Sequence, residues 1–360
     1  MNSSDFLTSH ETLFSNSDAL EQGHVPKHLP HRENQQQYIS TAINPLLAGR
    51  SGKNLIIRGS SGIGKTATTL RVLMNLDDEN IKSDIKWIYI NCWKADSSFK
   101  ILTEICHSLG YKFTQSMNST QIFDKVKEIC EKKDGVVFAF DEIDKTADTD
   151  FLYLLLEEIK KKAILLITND RSWGSELDNR IKSRLSPEIL EFQEYNIKEI
   201  FDILRERKKY SFYEGVWEDV AFTAIAEKAA QYSDVRVGVT LLKTAGEIAE
   251  AAASRKIKLE HAQKAIANTD AFKIKSSSDL TDAEKLVLNI VKENSGKNTG
   301  ELFEIYTKSG GDKSMKTFTR HLQKLETKKL LSMELTGEGF QGKSSVIKFV
   351  GFERKLVDFT

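Results

Sequence analysis

Two short segments of this sequence place residues in an order suited to phosphate chemistry. Gly59-Ser60-Ser61-Gly62-Ile63-Gly64-Lys65-Thr66 has the spacing GxxxxGK[ST], follows the apolar run NLIIR at Asn54, and leads into the helical stretch ATTLRVLMNL. Glycines let such a loop wrap backbone N–H groups around phosphate oxygens, and the helix N-terminus behind it adds a favourable partial charge. In that setting Lys65 is expected to reach the outer phosphates of a nucleotide and the Thr66 hydroxyl to ligate Mg²⁺. Thr68, in the first turn of the helix, is counted with the expected nucleotide contacts. A purely structural glycine turn is the alternative, and the strand before and helix after it argue against that.

The second segment is VVFAF followed by Asp141-Glu142-Ile143-Asp144, a buried strand ending in carboxylates where ligands of open α/β sheets gather. Asp141 can hold the Mg²⁺ shell while Glu142 polarises an attacking water; acidic residues solvating a strand end are the bland alternative. Asn169 follows the apolar run AILLIT. Its amide can orient the lytic water or touch the γ-phosphate, as the first sensor of AAA+ proteins does; alone, TND reads equally well as a turn.

These residues need a scaffold. From Val25 to about residue 193, the apolar runs NLIIR, WIYI, VVFAF, AILLI and EILEF alternate with amphipathic helical stretches, the pattern of a parallel sheet covered by helices on both faces. From Asn196 to Phe272 helical periodicity replaces strands, as in Ile200, Ile203 and Leu204, then Val239, Leu242, Ala245 and Ile248. Thr281 and Glu284 make a capping box after the serine-rich segment near Ser277. Helices are then expected over 282–293, 299–308 and 314–326, followed by a hairpin turning within Gly337–Gly342: a winged helix. The expected parts are a poorly ordered tail (1–20), a nucleotide-binding core (21–194), a helical lid (195–276) and a winged-helix DNA-binding domain (277–360).

The chain resembles the archaeal origin-recognition and cell-division-cycle family of replication initiators. The resemblance runs from about residue 20 to residue 350 and rests on the motifs above together with the lead-in HVPKHLPHRENQQQYISTAINPLLAG, YINCWKADSSFKILTEICHSLG, RIKSRLSPEILEF and SDVRVGVTLLKTAGEIAEAA. It implies an α/β AAA+ P-loop core with a helical lid and a C-terminal winged helix, acting as a weak, regulatory ATPase with ATP/ADP and Mg²⁺. It also implies Arg236 as a second sensor in the lid, and Arg184, with Arg180 as the other candidate, as an arginine finger acting on a neighbouring protomer. Val25 and Pro30 from the lead-in, with Tyr195 and Ile203 from the lid side, would close the adenine pocket; plain core is the other reading of these apolar residues. The implied partners are origin repeats in double-stranded DNA, the replicative minichromosome-maintenance helicase and further copies of the chain on DNA, with a DNA-contacting insertion between Cys106 and Lys125.

In the third C-terminal helix, Phe318, Leu322 and Leu325 make a buried face, while Lys316, Thr317, Arg320 and Lys324 fall mostly on the other side and suit a major groove. The wing adds Lys343 and Ser344. From Leu280 to Thr360 there are 14 Lys plus Arg against 11 Asp plus Glu, a modest excess in a chain whose 52 basic and 52 acidic residues cancel. DNA affinity therefore has to come from local patches. A solvated helix on a protein-binding winged helix is the alternative reading, and a transcription regulator holding nucleotide as a structural ligand is the alternative function. Cys92, Cys106 and Cys130 lack zinc-site spacing and read as reduced, buried thiols. With neither a secretory signal nor an 18-residue apolar run, the expected location is cytoplasmic, on chromosomal DNA, without a membrane.

Overall fold

The five apolar runs of the first 193 residues form one parallel sheet, in the order β2-β3-β4-β1-β5. Its strands are β1 (Leu55–Arg58), β2 (Ile85–Asn91), β3 (Gly135–Asp141), β4 (Lys162–Thr168) and β5 (Glu188–Glu191). The computed structural model describes residues 12–77, 83–277, 281–311, 313–327, 331–336 and 344–349. Every residue of β3 is buried, as expected of a central strand covered on both faces. Helices α1 (Glu33–Leu47), α2 (Lys65–Met74), α3 (Ser98–Ser108), α4 (Ser119–Cys130), α5 (Asp150–Glu158), α6 (Trp173–Glu176) and α7 (Asn179–Leu185) precede or connect the strands.

The period-two alternation of strand side chains divides the apolar residues between two cores. Leu55, Ile57, Val137, Ala139, Leu165 and Ile167 point to the face covered by α1 and α2. Ile56, Val136, Phe138, Phe140, Ile164 and Leu166 point to the face covered by α3, α4, α5 and α7. Four helices follow: α8 (Ile197–Ser211), α9 (Asp219–Gln231), α10 (Val235–Ala251) and α11 (Leu259–Ser277). Asn196 and Glu199 form a capping box on α8. Leu204, Phe222, Ile225, Leu242 and Ala245 of these helices belong to the same continuous core as α1 and α2, so the lid is welded to one face of the sheet.

The N-terminal expectation requires correction. Within the stretch read as a disordered tail, Leu13, Ala19 and Leu20 are buried. Phe14 forms an antiparallel bridge with Phe212 and its ring lies 4.7 Å from the Phe212 ring. Glu250 accepts from Leu13 N at 2.7 Å and from Thr12 Oγ1 at 2.8 Å, and Arg207 donates to the Ala19 carbonyl at 2.8 Å. Polar composition misled because a few apolar residues at the right places are enough when a lid surface is there to receive them. Residues 1–11 lie outside the described residues.

The chain divides into two compact units between Thr269 and Asp270, within α11. The C-terminal unit contains α12 (Asp282–Glu293), α13 (Thr299–Lys308) and α14 (Met315–Thr327). Its antiparallel sheet has the order β6-β8-β7, from β6 (Lys297–Asn298), β7 (Leu331–Thr336) and β8 (Ser344–Phe349). Phe318, Leu322 and Leu325 of α14 are fully buried against Val287, Leu302, Tyr306 and Ile347, giving the three-helix and hairpin arrangement of a winged helix. The expected wing turn and Lys343 lie outside the described residues. All three cysteines are buried and free. Among the described residues no helix is long and apolar enough to cross a membrane.

Docking of the N-terminal segment depends on Gly246, where a Cβ would lie 2.4 Å from Phe14 Cζ and 2.9 Å from Phe212 Cε1. Gly246→Val is expected to cost about 1–3 kcal/mol through overpacking and to make residues 12–20 sensitive to protease. Chemical denaturation and limited proteolysis test this; a wild-type denaturation curve and cleavage pattern would refute the docking.

Candidate nucleotide site

The strands deliver their chemistry at one edge of the sheet. Asn91 at the end of β2 pairs in register with Asp141 at the end of β3, and Thr168 ends β4 beside Arg58 of β1. The β1–α2 loop turns over this edge with Gly59, Gly62 and Gly64 all at positive φ (148°, 81° and 91°), conformations an L side chain resists. A cavity of about 550 Å³ opens there. It is lined by Ser61, Gly62, Gly64, Lys65 and Thr66 from the loop, by Tyr89, Asn91, Asp141, Glu142 and Asn169 from the strand ends, and by Arg236 and Val239 from the lid.

Lys65 is 6% exposed, and its ammonium donates to the carbonyls of Gly59 (2.8 Å) and Ser60 (2.7 Å) and to Asn169 Oδ1 (2.7 Å). Burial pushes its pKa down to about 8, against the opposing pull of Asp141 and Glu142. The Asn169 amide, fixed by Lys65 on one side, donates from Nδ2 to Glu142 Oε2 at 2.8 Å. Glu142 itself has φ 54°, a left-handed conformation costing an L residue about 1–2 kcal/mol. Such strain beside a site is consistent with a backbone bent to aim a side chain.

Asp141 accepts from the Thr66 hydroxyl and the Tyr89 hydroxyl, both at 2.7 Å, and from the Glu142 N–H at 3.0 Å. A hydroxyl and a carboxylate converging from two elements make a hard-oxygen donor set of the kind that suits Mg²⁺. Burial, then the neighbouring Asp141 charge, pushes the Tyr89 phenol well above its ordinary pKa, so it remains a donor. Behind this group, burial raises the Cys92 thiol to about 12, which leaves it inert.

Arg32 is a second buried cation, 4% exposed and just outside the loop. It donates from Nε and Nη2 to the Ile63 carbonyl (3.1 and 3.0 Å), and from Nη2 to the Gln193 carbonyl (2.8 Å). Its guanidinium lies 3.7 Å from the centre of the Tyr195 ring. The loop, the lead-in and the β5–α8 connection are thus tied through one side chain.

The profile of an AAA domain matches residues 49–170, and that of the Cdc6 AAA+ ATPase-type lid domain matches residues 201–267. An ORC1-type DNA replication protein 1 of Archaeoglobus fulgidus is 31% identical over 378 residues, covering 99% of this chain and 92% of that protein. The chain belongs to the ORC1-type DNA replication protein family. A second member, from Sulfurisphaera tokodaii, is 30% identical, covering 97% of this chain and 93% of its own. The fold is shared with Aeropyrum pernix ORC1 in complex with DNA (TM-score 0.69, 23% identity, 96% and 95% of the two chains). It is shared also with Aeropyrum pernix ORC2 in ADPNP–ADP complexes (TM-score 0.74, 18% identity, 94% of each chain).

Within this ORC1-type core, the expected adenine-side residues Val25, Pro30, Tyr195 and Ile203 all line the cavity. Gly59, Ser60, Ile63 and Thr68 do not. Ile63 and Thr68 are fully buried, with the Thr68 hydroxyl donating to the Gly64 carbonyl at 2.8 Å, and Ser60 donates to Glu194 at 2.7 Å. Thr68 therefore holds the loop from behind, correcting its reading as a contact. Arg180 and Arg184 lie on α7 and are absent from the cavity wall; they pair with Asp178 (3.2 Å) and Glu157 (2.5 Å). In the C-terminal unit Lys316 and Arg320 are exposed and Thr317 is half-buried, whereas Lys324 is bound to Glu284 Oε1 at 2.6 Å. That carboxylate is 1% exposed, so Lys324 neutralises a buried charge instead of standing free for phosphate. Sequence reasoning missed Arg32, Tyr89 and Asn91 as site residues.

Replacing Arg32 takes the guanidinium donors from the buried Ile63 carbonyl and from the partly buried Gln193 carbonyl. Arg32→Lys is expected to lose about 1–3 kcal/mol of stability and to weaken nucleotide binding, because an ammonium cannot reproduce a planar fork stacked on Tyr195. Denaturation and nucleotide titration check it; a fully functional Lys variant would refute the tie.

Proposed function

We propose that this chain is an ATP-controlled initiator of chromosome replication that binds duplex origin DNA and helps bring the replicative helicase to it. The observation that carries the reading is the convergence of the Thr66–Asp141 pair, the Lys65–Asn169–Glu142 chain and the lid residue Arg236 on a single cavity. In this reading the loop and Lys65 hold the phosphates, Thr66 and Asp141 hold Mg²⁺, and Glu142 withdraws the proton of the attacking water as Asn169 orients it. Held by Thr66 and Asp141, Mg²⁺ would supply charge neutralisation to the phosphates.

Slow turnover is part of the proposal, and the absence of Arg180 and Arg184 from the cavity wall supports it. Arg184, tied to Glu157 and lying 5.1 Å from the Tyr153 ring centre, would complete a neighbour's site only when copies assemble on DNA. Hydrolysis is then a switch between two states of the initiator. The helicase and self-association parts of the proposal rest on family membership, and DNA binding also on the exposed Lys316 and Arg320 of α14.

Glu142→Gln is expected to lower turnover by about 10²–10⁴-fold while retaining ATP, and to hold the protein in its ATP-bound behaviour toward DNA and helicase. Chromatin immunoprecipitation followed by titration of the enriched DNA with ATP- and ADP-loaded protein tests the function. Indistinguishable ATP and ADP states, or scattered promoter peaks, would favour a transcription regulator that keeps nucleotide as a structural ligand. Arg320→Ala is expected to weaken DNA binding and, if the contact is to phosphate, to lower the slope of log K against log salt by about 1. An unchanged affinity and salt slope would exclude this face of α14.

A further inference from the structure

Asp234 stands between lid and loop, in contact with Gly62, with no part in the chemistry so far described. It is 8% exposed and caps α10, accepting from the Arg236 N–H at 2.9 Å. The same carboxylate accepts from Arg236 Nε at 3.2 Å and Nη2 at 2.9 Å, gripping one edge of the guanidinium. Nη2 also donates to Ser61 Oγ at 2.7 Å, inside the phosphate loop. The carboxylate also rests on Gly62, where a Cβ would fall 2.1 Å from Asp234 Oδ1. The missing side chain of Gly62 is thus what lets an acidic group of the lid approach the loop this closely. An arginine side chain left to itself samples many rotamers, and a ligand would have to order it; a carboxylate holding its Nε–Nη2 edge removes that cost beforehand.

We propose that Asp234 is a positioning residue that holds the Arg236 guanidinium over Ser61, so that seating the lid on Gly62 and recognising the terminal phosphates become one event. This rests on the nucleotide reading of the cavity and adds a residue whose effect on nucleotide binding passes through Arg236.

The test uses the full chain with Asp234→Asn, Arg236→Ala and the double variant, titrated calorimetrically with ATP and with ADP in the presence of Mg²⁺. Asparagine caps a helix as well as aspartate does, so the lid should melt as in the wild type, yet its amide nitrogen cannot accept from a guanidinium. Asp234→Asn is expected to weaken ATP binding about tenfold and ADP binding less, as for loss of a charged hydrogen-bonded pair. Arg236→Ala should lose at least as much, and adding Asp234→Asn to it should cost nothing further; that non-additivity is the signature of action through Arg236. Wild-type ATP affinity in Asp234→Asn, or the same loss in the Arg236→Ala background, would overturn the proposal and leave Asp234 as packing on Gly62. If Lys65→Ala binds ATP as the wild type does, the nucleotide reading fails first, and that outcome is distinct from the other two.

Discussion

A buried ammonium needs oxygen around it, and the site is organised around meeting that need at Lys65. Two loop carbonyls and the Asn169 amide oxygen surround the charge. Because the third of these is also the residue that holds Glu142, the cation and the candidate base are linked through one amide. Phosphate oxygens arriving beside Lys65 would compete for the same protons. Any group that draws Lys65 away from Asn169 therefore changes what Asn169 can offer to Glu142, so phosphate binding and base positioning share a physical connection.

The lid is coupled to this centre by packing as well as by charge. Its helices share a continuous core with α1, α2 and one face of the sheet, and the 12–20 segment closes against α8 and α10. His31, from the lead-in, meets Asp202 of α8 at 3.2 Å, while Arg32 binds loop and lid connection together. A close-packed interior transmits small displacements instead of absorbing them, so a change at the loop has a mechanical route to α10.

The C-terminal unit has a different economy. Its small core is apolar, but the first turn of α12 carries a buried carboxylate, Glu284, which accepts from the Thr281 N–H in the capping box and binds Lys324, with His321 3.8 Å away. One cation of α14 is thereby committed to holding the helices together. Lys316 and Arg320 remain on the exposed side, which narrows the surface on which this helix could meet a polyanion.

Local chemistry determined much of this protein from the sequence alone. Glycines at fixed spacing before Lys65 and Thr66, a continuous apolar run ending in Asp141 and Glu142, and the 3.6-residue period of the lid each act over a few residues, so the loop, the five strands and the winged-helix elements were legible. The tertiary structure decided what depends on partners distant in the chain. Thr68 turned inward because its hydroxyl found the Gly64 carbonyl, Lys324 was taken by a carboxylate 40 positions earlier, and Leu13 and Leu20 were ordered by a lid more than 170 residues away. Arg32 and Asp234 look ordinary in sequence. Their importance comes from burial, which makes a charge depend on every neighbour that can satisfy it.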